Sequence, residues 1–197
     1  LKDILDVCKA NEIERFEYTI LKGNADAEVT GIASDSRKVT DGGIFVCIVG
    51  AVSDGHKYIG HIKSKAAVIV VQKGSEYELP EENVTVIECN NTRLALALMS
   101  AAYFGNPDKE LFTIGITGTK GKTTTTYMIK NVLCACGIKT GLIGTIETVI
   151  GDETIPSCNT TPESIQIHET FKKMVDAGCK AVVMEVSSQG LKLDRTA

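Results

Sequence analysis

Three glycines at a spacing of three, Gly115, Gly118 and Gly121, lead directly into Lys122 and the threonines Thr123 to Thr126. The apolar, β-branched run Leu111 to Ile116 precedes them and reads as a buried strand. Strand, glycine loop and helix start together make a phosphate cradle. Glycines let backbone N–H groups close on phosphate oxygens, the helix N-terminus adds its positive end, and a lysine reaches the terminal phosphates. The expected residues binding a nucleoside triphosphate are Gly118, Thr119, Lys120, Gly121, Lys122, Thr123 and Thr124, with the Thr123 hydroxyl on the accompanying metal ion. The general G-x-x-x-x-G-K-[ST] pattern is missed by one residue, because Ile116 stands where it needs glycine. The plain alternative is a glycine-rich turn with a solvated lysine.

A second chemical group closes another apolar run, Ala181-Val182-Val183-Met184, which ends in Glu185. Ligands of a parallel sheet sit beyond the carboxyl ends of its strands, so Glu185 and the glycine loop are expected at one edge. There Glu185 and Thr123 would hold the metal, and Lys122 and Glu185 would carry catalysis by neutralising charge during phosphoryl transfer. Otherwise Glu185 is a solvated residue at a strand end. Between the two lies Asn159-Thr160-Thr161-Pro162. Thr161 before Pro162 and Glu163 is a good helix start, while two hydroxyls and an amide equally suit a polar substrate.

These residues need elements to place them. Expected strands at 111–117, 139–146 and 180–186 alternate with helices at 122–136 and 162–177, the pattern of right-handed βαβ units and a parallel sheet. Met128, Ile129, Val132, Leu133 and Cys136 on the first helix, and Ile167, Phe171 and Met174 on the second, are expected in the core. Upstream, short strands (Val29 to Ala33, Ile44 to Val49, Ala67 to Val71, Val84 to Glu88) and a helix near His56 to Lys65 suggest a small α/β domain over 1–89. A helix capped by Asn91 or Thr92 then opens a second region, 90–197. The fold class is therefore α/β, a small mixed α/β domain followed by a phosphate-loop, parallel-sheet domain.

Composition narrows the function. The 197 residues are 43% hydrophobic and 23% charged, which suits one large or two small globular domains. A net charge of −4 argues against general binding to nucleic acid or anionic membranes, so an anion site must be a local concentration of cations. The seven cysteines are scattered, mostly in apolar runs, with no C-x-x-C pair, as expected for reduced, buried side chains in a cytoplasmic protein. No apolar run approaches the ~18 residues that cross a bilayer. The chain begins without methionine and stops just past a strand and loop, so it is expected to be a piece of a longer protein. His56 is expected at the surface beside a turn.

Thr117 to Thr124, TGTKGKTT, is similar to the ATP loop of the Mur ligases, ATP-dependent amide-forming enzymes of peptidoglycan precursor synthesis, although most members have asparagine at the place of Lys120. Asp35-Ser-Arg-Lys-Val39, Gly42-x-x-Phe45-Val46, Asp54-Gly-His-x-Tyr-Ile59, Asn159-Thr-Thr-Pro-Glu-Ser164 and Met184-Glu-Val-Ser-Ser-Gln-Gly-Leu191 with Arg195 resemble the same family in the correct order. The branch that adds a diamino acid to the muramoyl dipeptide is the most similar. The resemblance implies that UDP-N-acetylmuramoyl dipeptide is contacted by Ser34, Ser36, Ala51, Val52 and Ser53 and, near its glutamate end, by Asn159, Thr160, Thr161, Ser187, Leu193 and Arg195, with only the backbone of Leu193 able to serve. Gln189 departs from the histidine of many members. ATP would phosphorylate the free carboxylate and the amine of a diamino acid, diaminopimelate or lysine, would displace phosphate. The resemblance makes 90–197 the first half of an ATPase domain, implies a carbamylated lysine and a C-terminal domain past Ala197, and favours a monomer. Folylpolyglutamate synthases share the loop, but Asp35 to Val39 speaks against them, and a nucleotide-binding regulatory module is the remaining alternative.

Overall fold

The computed structural model describes residues 1–10, 15–51, 53–80 and 83–197. The chain divides into two compact units, Leu1–Tyr103 and Phe104–Ala197. The boundary thus falls later than the expected one at residue 90. The helix over Thr92–Tyr103 is buried along most of its length and belongs to the first unit's core.

The first unit runs α1 (Lys2–Ala10), β1 (Tyr18–Lys22), β2 (Ile32–Ala33), β3 (Ile44–Val46), a 3₁₀ turn (Gly55–Tyr58) continuing into α2 (Ile59–Ile62), β4 (Val68–Gln72), β5 (Thr85–Cys89) and α3 (Thr92–Tyr103). Its sheet has the order β1-β5-β4-β3-β2, parallel except for β1 against β5. Val68 to Val71 are all buried, because a central parallel strand is covered on both faces and shows a continuous apolar run instead of alternation. One face, with Phe45, Cys47, Ile69, Val71 and Val86, packs on Ile59 and Ile62 of α2. The Asn91 side chain accepts from the backbone N–H groups of Arg93 and Leu94, so Asn91 caps α3 as expected. Sequence reading missed α1, whose Ile4, Leu5 and Cys8 are buried at helical spacing.

The second unit runs β6 (Phe112–Ile116), α4 (Lys122–Ala135), β7 (Thr140–Ile143), β8 (Glu147–Ile150), β9 (Glu153–Pro156), α5 (Ser164–Asp176), β10 (Ala181–Glu185) and the short α6 (Ser188–Lys192). The sheet order is β6-β10-β7-β8-β9. The first three strands are parallel, whereas β7, β8 and β9 form an antiparallel meander, so the sheet is mixed and not wholly parallel as expected. Gly151-Asp152, between two β-branched runs, forms the turn of the β8–β9 hairpin. Successive side chains of β10 serve opposite faces: Val182 and Met184 pack with Ile167, Phe171 and Met174 of α5, and Val183 packs on the α4 side with Ile129 and Leu133.

Helix α4 departs from expectation on its outer row. Met128 and Val132 are 64% and 63% exposed and Cys136 is exposed, because the sheet takes only the row of Ile129 and Leu133, while 128, 132 and 136 form the next row round. Strand β6 lies at the sheet edge with Phe112 exposed, not buried as its sequence suggested. Four cysteines are buried as expected (Cys8, Cys47, Cys89, Cys179), but Cys134, Cys136 and Cys158 are exposed. No helix among the described residues is long and apolar enough to cross a membrane.

Within the second unit His168 of α5 is buried, and neither ring nitrogen has a hydrogen-bond partner among the described residues. Burial pushes its pKa down, partly offset by the nearby Asp108 carboxylate and then by the Ala197 backbone, which approaches the ring without full hydrogen-bond geometry. The folded state then binds this proton less readily than the unfolded state. Stability from this group is complete above the ordinary value of about 6.5 and is lost as pH falls below it. Urea unfolding of His168→Leu should lose less stability between about pH 7.5 and about pH 5.5 than the native protein does. Equal losses in the two proteins would mean that His168 is not the acid-sensitive group.

Candidate functional site

The glycine loop connects β6 to α4. Gly121 holds φ 80, a left-handed conformation that a side chain would strain, and it stands at the N-cap of α4 without a side-chain cap. The first-turn N–H groups of α4 therefore have no partner within the helix and open onto the loop. Lys122 Nζ donates to the Gly118 carbonyl at 2.8 Å, so the ammonium lies folded across the loop and not extended from it. Thr119, Lys120 and Thr124 are exposed, Thr123 is half-buried, and the buried Thr126 hydroxyl donates to the Thr123 carbonyl at 2.8 Å. Residues 118–124 are thus contiguous around one loop and one helix start.

Ile116, the last residue before the loop, is in register with Glu185 on the adjacent parallel strand, and Val186 N–H donates to the Ile116 carbonyl at 2.8 Å. The end of β10 and the start of the loop therefore lie side by side. Glu185 is only 1% exposed, which rules out the solvated strand end. A buried carboxylate needs donors. Thr145 supplies two: its N–H at 2.8 Å from Oε1 and its hydroxyl at 3.1 Å from Oε2. The expected strand at 139–146 ends at Ile143 for this reason, since residues 144 and 145 turn under the carboxylate. Gly144 leaves room for this approach, as a Cβ there would lie 2.8 Å from Glu185 Oε1.

Thr161 is the hub of the neighbouring turn. Its buried hydroxyl donates to the Glu185 carbonyl at 3.0 Å and accepts from Ser187 N–H at 2.9 Å. Ser187 caps α6 by accepting from Gly190 N–H at 3.0 Å. Arg195 donates to the Thr161 carbonyl at 3.0 Å and pairs with Glu163 at 2.6 Å, and Leu193 N–H is used by the Gln189 carbonyl at 3.0 Å. Thr160 Oγ1 lies 3.0 Å from Thr145 Oγ1, and Asn159 is exposed beside it. Thr160, Thr161, Ser187 and Arg195 thus gather around the end of β10, and the proline-led helix start begins at Ser164, two residues later than expected. Sequence reading missed Gly144, Thr145 and Tyr127. The Tyr127 hydroxyl donates to Glu147 at 2.8 Å, and its pKa is pushed up to about 12 by burial and then by that carboxylate.

In the first unit, Asp35 caps the 3₁₀ turn Ser36–Lys38 and receives both Nε and Nη2 of Arg37, at 2.9 and 2.7 Å, which hold its carboxyl down to about 2. Ser36 and Arg37 line a cavity of about 330 Å³ with Tyr58, His61, Ile62 and Lys65. Ser53 Oγ lies 2.9 Å from the Oη of Tyr58, which lines that cavity with Ser36. Ser34 is half-buried after β2, Ala51 is exposed, and Val52 lies outside the described residues. His56 contradicts its expected surface place. It is 4% exposed, its Nδ1 lies 2.6 Å from Asp54 Oδ1, and its Nε2 accepts from Gln72 N–H at 3.0 Å. Both nitrogens are engaged, and through His56 they fasten Asp54 to the sheet.

The second unit is of the phosphate-loop α/β class: a glycine loop between strand and helix, with a carboxylate at the end of the next parallel strand. Two family models extend this. Residues 28–104 match the model described as "Mur ligase family, catalytic domain", and residues 116–197 match "Mur ligase middle domain". The chain is 47% identical over 184 residues to the UDP-N-acetylmuramoyl-L-alanyl-D-glutamate--2,6-diaminopimelate ligase of Clostridium perfringens, covering 93% of this chain and 37% of that protein. It is 48% identical to the ligase of the same name from Clostridium tetani, covering 93% and 38%. A solved structure of a ligase of that name aligns with a TM-score of 0.67 at 25% identity, over 87% of this chain and 36% of its own. The chain belongs to the Mur ligase family. It spans a little over a third of the length of the curated relatives it matches.

Gly144→Ala tests the close approach of backbone to carboxylate. The added methyl should push Glu185 off its Thr145 donors and destabilise the protein by about 1–3 kcal/mol in urea unfolding. Native stability would mean that the carboxylate can swing away without cost.

Proposed function

We propose that this chain is the N-terminal part of an ATP-dependent ligase of peptidoglycan precursor synthesis, one that joins 2,6-diaminopimelate to UDP-N-acetylmuramoyl-L-alanyl-D-glutamate through an acyl phosphate. The observation that carries this reading is that identity of 47% to a ligase of that name extends over 93% of the chain and so over both units. A phosphate loop by itself would suit many ATP-using enzymes. The match of residues 28–104 to the Mur ligase catalytic domain supports this family over a folylpolyglutamate synthase, and supports reading the first unit as the uridine-nucleotide domain.

The parts divide the work by chemistry. The unpaired N–H groups at the start of α4 and the Lys122 ammonium suit the β- and γ-phosphates, once Lys122 leaves the Gly118 carbonyl on which it rests. A divalent cation fits the carboxylate. Each Glu185 oxygen takes one hydrogen bond from Thr145 and retains lone pairs, and among the described residues no group of three His, Cys, Asp or Glu side chains could hold a metal. One carboxylate and one hydroxyl completed by nucleotide phosphates is the Mg²⁺ pattern, with Glu185 and Thr123 as the protein's share. When bound, the cation offsets negative charge on the phosphates. Thr160, Thr161, Ser187 and Arg195 would hold the glutamate end of the dipeptide at this same edge, where its carboxylate is phosphorylated. In the first unit Ser36 and Ser53 would offer hydroxyls to the uridine nucleotide beside Tyr58.

In the intact protein Lys122→Ala should abolish ATP turnover, and Lys120→Asn should be mild, as measured by phosphate release with the dipeptide and diaminopimelate present. Equal loss in both would give Lys120 a role at the phosphates. Ser36→Ala should weaken UDP-N-acetylmuramoyl dipeptide by about 1 kcal/mol in titration calorimetry, the cost of one hydrogen bond in a desolvated site. Absence of binding to the native protein would remove the muramoyl reading and leave a phosphate-loop ATPase.

A further inference from the structure

Thr145 belongs to none of the sequence motifs, yet the Glu185 carboxylate rests on it. The contact is bidentate, backbone N–H to Oε1 and hydroxyl to Oε2, at 2.8 and 3.1 Å. Thr145 is itself exposed, while Glu185 is buried. A residue of that exposure is not there to fill the core. Its hydroxyl also lies 3.0 Å from Thr160 Oγ1, and the direction of this chain of hydrogen bonds follows from its members. The Glu185 oxygen accepts the Thr145 hydroxyl proton, and each hydroxyl carries one proton. Thr145 therefore donates to Glu185, and Thr160 donates to Thr145.

We propose that Thr145 is a positioning residue for the nucleotide-bound divalent cation. Its two donors fix both carboxylate oxygens of Glu185, one lone pair each, so that the remaining lone pairs keep a single orientation next to the glycine loop. Gly144 permits the approach, since any side chain at that position would meet Oε1. Thr160 completes the arrangement by supplying the Thr145 oxygen with a proton, which polarises the hydroxyl toward Glu185. The inference rests on the reading of Glu185 as the protein's carboxylate ligand for that cation.

Mn²⁺ binding in the presence of a non-hydrolysable ATP analogue, followed by electron paramagnetic resonance on the intact protein, is the test. Thr145→Val keeps the shape and the backbone donor but removes the hydroxyl. It should weaken Mn²⁺ by roughly tenfold or more, the usual scale for losing a group that orients a metal ligand, while analogue affinity measured in EDTA stays at the native level. Thr145→Ser retains both donors and should restore Mn²⁺ binding close to the native value. Native Mn²⁺ affinity in Thr145→Val overturns the proposal, as does a Thr145→Ser protein as weak as Thr145→Val, which would show that the methyl and not the hydroxyl matters. A native protein that binds the analogue but no Mn²⁺ overturns the cation reading of Glu185 and this proposal with it, an outcome distinct from the other two.

Discussion

A carboxylate placed in the interior at the end of a central strand is the constraint around which the second unit is arranged. A charge taken out of water without donors costs far more than one hydrogen bond returns, so the chain around Glu185 must supply them. Thr145 does so with its backbone and its side chain, and the turn at Gly144 exists in the form that brings it close enough. From the other side Thr161 ties its hydroxyl to the Glu185 carbonyl and to Ser187, which in turn caps α6. The result is that a charge and several hydroxyls are held in a shared network at one point of the sheet edge.

Parallel pairing explains why that point adjoins the glycine loop. Strands β6, β10 and β7 run in the same direction, so their C-terminal ends deliver the loop at 117–121, the turn at 186–187 and the turn at 144–145 to the same edge. Helices α5 and α4 cover opposite faces of the sheet and leave that edge open. The antiparallel strands β8 and β9 extend the sheet on the far side of β7 and bring Glu147 within reach of Tyr127 on α4. The first unit uses a different device. There Asp35 and Asp54 act as local caps for two 3₁₀ turns that follow parallel strands, and the buried His56 fixes the second of these turns to β4.

Much of this was legible in the residues alone. The order of strand, glycine loop and helix at 111–136, the run of Val68 to Val71 as a central strand, the Asn91 cap and the buried face of α5 all follow from local rules: a glycine for left-handed backbone, continuous apolar runs for doubly covered strands, and a side-chain acceptor at a helix start. The motifs also put Thr160, Thr161, Ser187 and Arg195 in one set with Asn159 and Leu193, and Glu185 at a strand end by the loop; of these, Thr160, Thr161, Ser187 and Arg195 are bonded around the end of β10. What local rules decide, a short stretch of sequence carries.

Tertiary structure decided the rest, because it depends on which neighbour each surface meets. Helix α4 has apolar residues on two adjacent rows, and only the sheet's position determines that Ile129 and Leu133 are covered while Met128 and Val132 are exposed. His56 carries no mark of burial in Asp-Gly-His, and it becomes buried because Gln72, far along the chain, offers it an N–H. Glu185 could equally have ended its strand in water. Its partner Thr145 lies 40 residues away in sequence, and no local pattern pairs the two; they meet because β10 inserts between β6 and β7. Sequence determines what each segment can form, and the strand order determines which polar groups must then satisfy one another.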